Sequence, residues 1–220
     1  RVVEMLKESK ARYESAFRTS GQAYASLRIS AGLNQAGLIN EATGGVSHYF
    51  KVLELLETAQ SDWPSLLGRL EAMRSKMLKR ASQATVVNLT GDKKALDAAQ
   101  GQLGSFCSQL FEKGTSSTEP DWSSLSSLVA VKPNEAFSVP TQVNYVAKGG
   151  SLYKPGEVTS GADSVVRRFL SLDYLWNQVR VQGGAYGSSA SSNPISGSFV
   201  FSSYRDPNLK KTLDTYDGAA

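Results

Sequence analysis

Apolar residues recur at three- and four-residue spacing through the first part of the chain, to about residue 82, and from Ala84 the spacing changes to short alternating runs. A chain carrying both periods builds helices first and adds strands later, so neither an all-helical nor an all-β fold accommodates it. Val2, Met5, Leu6, Tyr13 and Phe17 give the opening helix a patchy apolar stripe. Leu27 to Leu38 follows with small residues, Gly44-Gly45 makes a break, and a further helix is expected from Tyr49 to Thr58. Ser61-Asp62-Trp63-Pro64 opens the next helix, with an acceptor side chain ahead of a first-turn proline. Beyond it Trp63, Leu66, Leu67, Leu70, Met73, Met77 and Leu78 keep helical spacing for about four turns, the pattern of a core face.

After the change of period, Thr85-Val86-Val87-Asn88-Leu89-Thr90 reads as a short strand ending at Gly91-Asp92, followed by a helix from Lys93 to Phe111. Lys113 to Ser127, rich in Ser, Thr and Gly and containing Pro120, reads as a surface connection. A second strand is expected within Ala136–Ala147, where Val139, Thr141, Val143 and Tyr145 alternate with Gln142, Asn144 and Val146. Gly149-Gly150 and Pro155-Gly156 punctuate the chain before Gly161-Ala162-Asp163 starts a strong helix. That helix has Val165, Val166, Phe169, Leu172, Leu175, Trp176 and Val179 on one face, and glycine-rich Gly183–Gly187 ends it. A last strand, Ile195–Tyr204, meets Arg205-Asp206-Pro207 and a terminal helix from Asn208 to Tyr216. Strand and helix alternate three times, which fits either a parallel sheet with crossovers or a mixed or antiparallel sheet covered by helices. The polar–apolar alternation within the strands suits a sheet with one face open, which favours α+β.

Composition narrows the function classes. Of 220 residues, 40% are hydrophobic and 20% charged, a mix that supports a folded core and argues against wholesale disorder. No apolar run approaches the roughly 18 residues of a membrane span, so no membrane partner is expected. Twenty-four basic against 20 acidic residues give a net charge of +4, mild and scattered. The one local group, Arg74, Lys76, Lys79 and Arg80, reads as a solvated helix face, so nucleic acid is not an expected partner. The single cysteine, Cys107, excludes an internal disulfide and a multi-cysteine zinc site. The single histidine, His48, would have to serve any Ser-His-Asp triad, and its neighbours offer no ligands at helical spacing. A packed histidine and a small core cysteine are the plainer readings of both. The start, Arg1-Val2-Val3-Glu4, lacks an initiator methionine, a signal-peptide core and a transit pattern, which suggests a beginning inside a longer protein.

The densest chemical signal is Trp176-Asn177-Gln178-Val179-Arg180-Val181-Gln182-Gly183-Gly184-Ala185-Tyr186-Gly187. It is not a dinucleotide fingerprint, because the glycines follow a helix instead of opening one, and Lys148-Gly149-Gly150-Ser151 lacks the ending of a phosphate loop. Two readings stay open. Arg180 and Tyr186 converge across the glycine turn on one carbonyl or carboxylate, a forked donor beside a single O–H. Alternatively the segment is a helix C-cap, with Arg180 at the negative end and Tyr186 half-buried.

Three blocks carry a resemblance: Pro140-Thr141-Gln142-Val143-Asn144-Tyr145-Val146, then Leu175 to Gly187, then Phe201-Ser202-Ser203-Tyr204-Arg205-Asp206-Pro207-Asn208-Leu209. Together with Leu33-Asn34-Gln35-Ala36-Gly37 and Gly44-Gly45-Val46-Ser47, they resemble, in order, the C-terminal region of the presequence proteases, pitrilysin-type zinc metallopeptidases. The resemblance implies four related α/β units closing as two halves around a chamber. Residues 1–82 are then the helical end of the third unit, and residues 83–220 most of an α+β fourth unit. It implies a Zn2+ ion held by an inverted H-x-x-E-H motif in the N-terminal half, with no metal ligand in this chain. It assigns Arg180 and Tyr186 to the catalytic contacts that hold substrate backbone and oxyanion, with Gly183, Gly184, Ala185 and Gly187 as substrate-binding turn residues. Unstructured peptides and the N-terminal catalytic half are the implied partners, and the mitochondrial matrix or chloroplast stroma the implied compartment. On this reading the chain alone is inactive; a non-catalytic structural or substrate-presenting subunit of the same fold is the alternative. Ser188 to Pro194 departs from the family's usual residues, which bears on peptide selectivity.

Overall fold

A computed structural model describes residues 1–84, 86–110, 131–153, 157 and 160–219, apart from the side chains of 79–84 and 110. The chain divides into two compact units, residues 1–56 with 122–220, and residues 57–121. The elements run α1 (Val2–Leu33), α2 (Gln35–Gly44), α3 (Val46–Ser61), α4 (Trp63–Ala84), α5 (Lys93–Leu110), β1 (Ala147–Ser151), α6 (Gly161–Phe169), β2 (Gly187–Asn193), β3 (Ser198–Tyr204) and α7 (Lys210–Asp217). Beyond Phe169, α6 continues through wide π turns at Leu170–Tyr174 and Trp176–Val181.

In the larger unit the sheet has the order β1-β3-β2, antiparallel throughout, which settles the sequence alternatives in favour of α+β. β3 is the centre because its Ser-Phe-Val-Phe-Ser-Ser-Tyr sequence holds the strongest strand formers. Its alternate side chains face opposite layers. Phe199 and Phe201 join Val146, Leu175, Val179, Ala185 and Tyr216 in the main core under α6 and α7. On the other face, a Cβ at Gly149 would lie 2.9 Å from Val200 Cγ2 and 3.1 Å from Ile29 Cγ2, so α1 rests directly on the strands. Helices therefore cover both faces, where the alternation suggested one open face; the small residues of β1 let α1 come that close.

A second set of contacts ties α1 to the segment entering β1. The Arg28 guanidinium donates to Glu135 at 2.6 and 2.9 Å, to Glu41 at 3.2 Å and to the Ser47 hydroxyl at 2.9 Å. Glu41 is fully buried, and its Oε1 also accepts from the Ser47 N–H at 2.9 Å. Asn34 caps α2 by accepting from the Gly37 N–H at 2.8 Å. The Tyr145 hydroxyl donates to the Arg18 carbonyl, close to a kink in α1 at Ser20.

Several elements differ from expectation. Residues 86–90 form no strand and are exposed, Val86 to 92%. The second strand starts at Ala147, because Thr141 turns the chain with its own N–H on the Val139 carbonyl and its hydroxyl accepting from Val143. Before β1 the pairing is a single bridge, Asn144 with Asp206. Ser188–Asn193, to which the sequence assigns no element, belongs to the edge strand β2; Ser188 and Ser191 hydroxyls donate to β3 carbonyls and offset their low strand propensity. The last strand begins at Ser198, since Asn193 to Gly197 makes the hairpin turn.

Two apolar stripes also behave differently. On α4 in the smaller unit, Leu66 is buried, but Leu67, Leu70, Met73 and Met77 are exposed. On α6 the π turns widen the helix and shift the inward face, so Leu175 and Val179 are buried while Val165, Phe169, Leu172 and Trp176 face out. The connection Lys113–Ser127, Phe111 and Pro155-Gly156 lie outside the described residues.

Candidate functional site

The site is the end of the π-wound helix and the turn into β2. Three backbone bonds close that end: Gln182 N–H to the Asn177 carbonyl at 3.0 Å, Gly184 N–H to Arg180 at 2.9 Å and Ala185 N–H to Val179 at 3.1 Å. The turn needs its paired glycines. A Cβ at Gly183 would sit 2.4 Å from the Val179 carbonyl oxygen, and Gly184 has φ +81, where L side chains are strained. Ala185 then plugs into the core at 3% exposure, and this anchor throws the next side chain outward. Tyr186 is 63% exposed, its N–H shared between the carbonyls of Tyr204 and Arg205 at 3.1 and 3.2 Å, its ring edge-on to Tyr204 at 5.7 Å. Gly187, opposite Tyr204, begins β2.

Arg180 and Tyr186 do converge. The Arg180 guanidinium lies 4.4 Å from the centre of the Trp176 ring and 5.3 Å from that of Tyr186, and its Nη1 donates to the Tyr186 carbonyl. Two aromatic faces and one carbonyl thus fix the fork of a side chain that would otherwise sweep a wide volume. Among the described residues the Tyr186 hydroxyl has no hydrogen-bond partner. The helix does end here with Arg180 in its last turn, but Tyr186 is exposed where the C-cap reading has it half-buried, and the guanidinium reaches the Tyr186 ring and carbonyl. What the arrangement can do chemically is donate, from an arginine fork and a phenol, to an oxygen brought to the same outer face.

An apolar strip leads up to the pair. Val165, Phe169, Leu172 and Trp176 succeed one another along the outer face of the helix, and a groove of about 470 Å³ lined by Val165, Arg168, Phe169 and Leu172 runs along its first half. The residues that support the turn from behind are not singled out by sequence reasoning: Asn208, whose Nδ2 donates to the Gly183 carbonyl at 2.6 Å, and buried Asp206. The Asp-Pro-Asn spacing is a turn signal, but nothing in it says which carbonyl the asparagine reaches.

The other candidates resolve as structural. The Tyr13 hydroxyl lies 2.7 Å from His48 Nδ1, within a ring cluster that includes Phe17, Tyr24 and Tyr49. Cys107 is half-buried and unpaired on α5. His48 is engaged by Tyr13, and among the described residues no three or more His, Cys, Asp or Glu gather around a common point, so those residues offer no ligand set for a zinc ion.

The PreP C-terminal domain family matches residues 134–220, which contain the whole of this site, and a family of peptidase-associated domains matches residues 1–55. Presequence protease 1, chloroplastic/mitochondrial, of Arabidopsis thaliana is 39% identical over 219 residues, 99% of this chain and 20% of its own length. The chain belongs to the presequence protease family. It is a C-terminal region of that peptidase family. A mitochondrial presequence protease of Yarrowia lipolytica is 30% identical over 216 residues, covering 96% of this chain and 21% of the relative. Protein HypA of Clostridium perfringens is 28% identical over 221 residues, 99% of this chain and 21% of the relative. The chain spans about a fifth of the length of the curated relatives it matches. Its eukaryotic relatives carry mitochondrial or chloroplastic/mitochondrial names, and the protein is assigned to a mitochondrion or a chloroplast with them.

Proposed function

We propose that this chain is the non-zinc-binding C-terminal portion of a zinc metalloendopeptidase that degrades unstructured peptides such as cleaved targeting presequences. Its part is to form chamber wall and to supply two donors, Arg180 and Tyr186, to the substrate backbone and to the oxyanion at the scissile carbonyl. The observation that carries this reading is the fixed guanidinium beside an unspent phenol on one outer face.

Developing charge is what such donors act on. Cleaving a peptide bond moves negative charge onto the carbonyl oxygen, and a donor already oriented toward that position contributes on the order of 3 kcal/mol. Arg180 spends one N–H on the Tyr186 carbonyl, which holds the plane of its fork; its remaining donors serve the substrate. The turn Gly183, Gly184, Ala185 and Gly187 offers main chain without bulky side chains, so a peptide backbone can pass close to the pair. The zinc ion would be held by the N-terminal half and would supply its activated water; the residues here bind and orient. Residues 1–82 and 83–220 are then parts of the third and fourth repeat units, and the matrix or stroma the compartment. By itself the chain is expected to cleave nothing.

The reading is tested by peptide turnover in the full-length protein. Cleavage of a short unstructured peptide, loss of that cleavage in Arg180→Ala, and no cleavage by residues 1–220 alone are expected. Unchanged turnover in Arg180→Ala would overturn it.

A further inference from the structure

The turn between β3 and α7 grips the glycine turn at both ends. From its side chain, Asn208 donates Nδ2–H to the Gly183 carbonyl at 2.6 Å, midway along the stretch that joins Arg180 to Tyr186. From its main chain, the carbonyls of Tyr204 and Arg205 receive the Tyr186 N–H. Arg205 has φ 49, unusual for a residue with a side chain, and its guanidinium lies 5.3 Å from the centre of the Tyr204 ring.

Asp206 makes this grip rigid. It is fully buried, and both carboxylate oxygens are engaged: Oδ1 accepts from the Asn208 N–H at 2.9 Å and Oδ2 from the Thr212 hydroxyl at 2.7 Å. Its own backbone is pinned by Asn144, whose carbonyl accepts from Asp206 at 2.9 Å and whose N–H and Nδ2 donate back at 2.7 and 3.1 Å. A buried carboxylate costs desolvation that an exposed turn would avoid. Here that cost is offset by a chain of contacts running from Asn144 through Asp206 and Asn208 to Gly183.

We infer that Asn208, held by buried Asp206, is a positioning residue that fixes the glycine turn and so aims Arg180 and Tyr186. This rests on the reading of that pair as substrate donors. Backbone bonds of Gly184, Ala185 and Tyr186 hold the flanks of the turn, and the Asn208 bond holds the Gly183 carbonyl between them. A displacement of about 1 Å at a reacting centre costs on the order of a hundredfold in rate.

The test is a double-mutant cycle in the full-length protein, with an unstructured fluorogenic peptide as substrate. Asn208→Ala is expected to lower kcat/KM by about 10- to 100-fold, chiefly through kcat. In a Tyr186→Phe background the same substitution should cost clearly less than it does in the wild type, because one of the two groups it aims is already gone. Asp206→Asn, which keeps an oxygen for the Asn208 N–H, should stay closer to wild type than Asp206→Ala. Asn208→Ser keeps a polar group yet is too short to reach the Gly183 carbonyl; it should match Asn208→Ala and carries the test if the alanine variant does not fold. Full activity in Asn208→Ser, or a loss that is just as large in the Tyr186→Phe background, overturns the inference. Where Tyr186→Phe loses turnover and Asn208→Ala keeps it, positioning alone fails. Where Tyr186→Phe keeps turnover, the donor reading fails and the positioning inference falls with it.

Discussion

Arg180 rests on Trp176: its guanidinium carbon lies 4.4 Å from the centre of the indole ring, one helical turn earlier. The indole is half-exposed, so it acts as a platform and not as a core residue. Such a contact contributes about 0.5–2 kcal/mol according to how far it is desolvated. Trp176→Ala should therefore lower peptide turnover by roughly 3- to 30-fold with little change in melting temperature, while Trp176→Phe keeps most of the activity. A steady-state comparison of the two variants checks this.

Gly183 leaves no room for a side chain, since a Cβ there would lie 2.4 Å from the Val179 carbonyl oxygen, a backbone atom of the helix end. Gly183→Ala must push the turn away from the helix, breaking the Ala185 bond to Val179 and the Asn208 bond to Gly183 together. A loss of about 1–3 kcal/mol in stability is expected, with a fall in turnover larger than that loss accounts for. Urea unfolding alongside kinetics measures both.

How far the sequence discloses this arrangement depends on the element. The helices of the first 84 residues announce themselves through spacing and through Pro64, because helical periodicity is a local property. Arg180 and Tyr186 stand out because paired glycines next to an arginine and a phenol are rare in local sequence. β2 is hidden by its own composition: Gly187 to Asn193 holds four serines, and only the carbonyls of β3 reveal why they pair. Trp176 faces outward where the spacing places it inward, because π turns break the 3.6-residue period on which the spacing argument depends. Asn208 escapes sequence reasoning since its partner is 25 residues away, and no local rule names it.

The Arg28 cluster sets an acid limit on stability. The guanidinium hydrogen bond holds the Glu135 carboxyl below its usual range. A carboxylate depressed in the folded state contributes stability above its unfolded pKa, and that contribution is lost as pH falls through the folded value. Arg28→Met leaves buried Glu41, and Glu135 beside it, without their cation, which should cost about 3–5 kcal/mol at neutral pH. The variant should also show a smaller drop in stability between pH 7 and roughly pH 4 than the wild type does. Urea midpoints at the two pH values decide it.

Tyr216 sets an alkaline one. Burial raises its phenol to about 12. The folded state then holds this proton after the unfolded chain has released it at about 10, so stability is full below that pH and falls by about 2–3 kcal/mol on the way up to the folded value. A spectrophotometric titration of tyrosinate should lose its latest-ionising component in Tyr216→Phe. Loss of a component near the ordinary value instead would contradict the burial argument.

On the proposed function, a phenol hydroxyl on an outer face serves a substrate carbonyl. Tyr186→Phe keeps the ring, its edge-on contact with Tyr204 and the backbone bonds of Tyr186, and removes a single O–H. Measured in the full-length protein on an unstructured peptide, kcat should fall by about 100- to 1,000-fold with KM nearly unchanged. A variant with wild-type kcat would contradict the account.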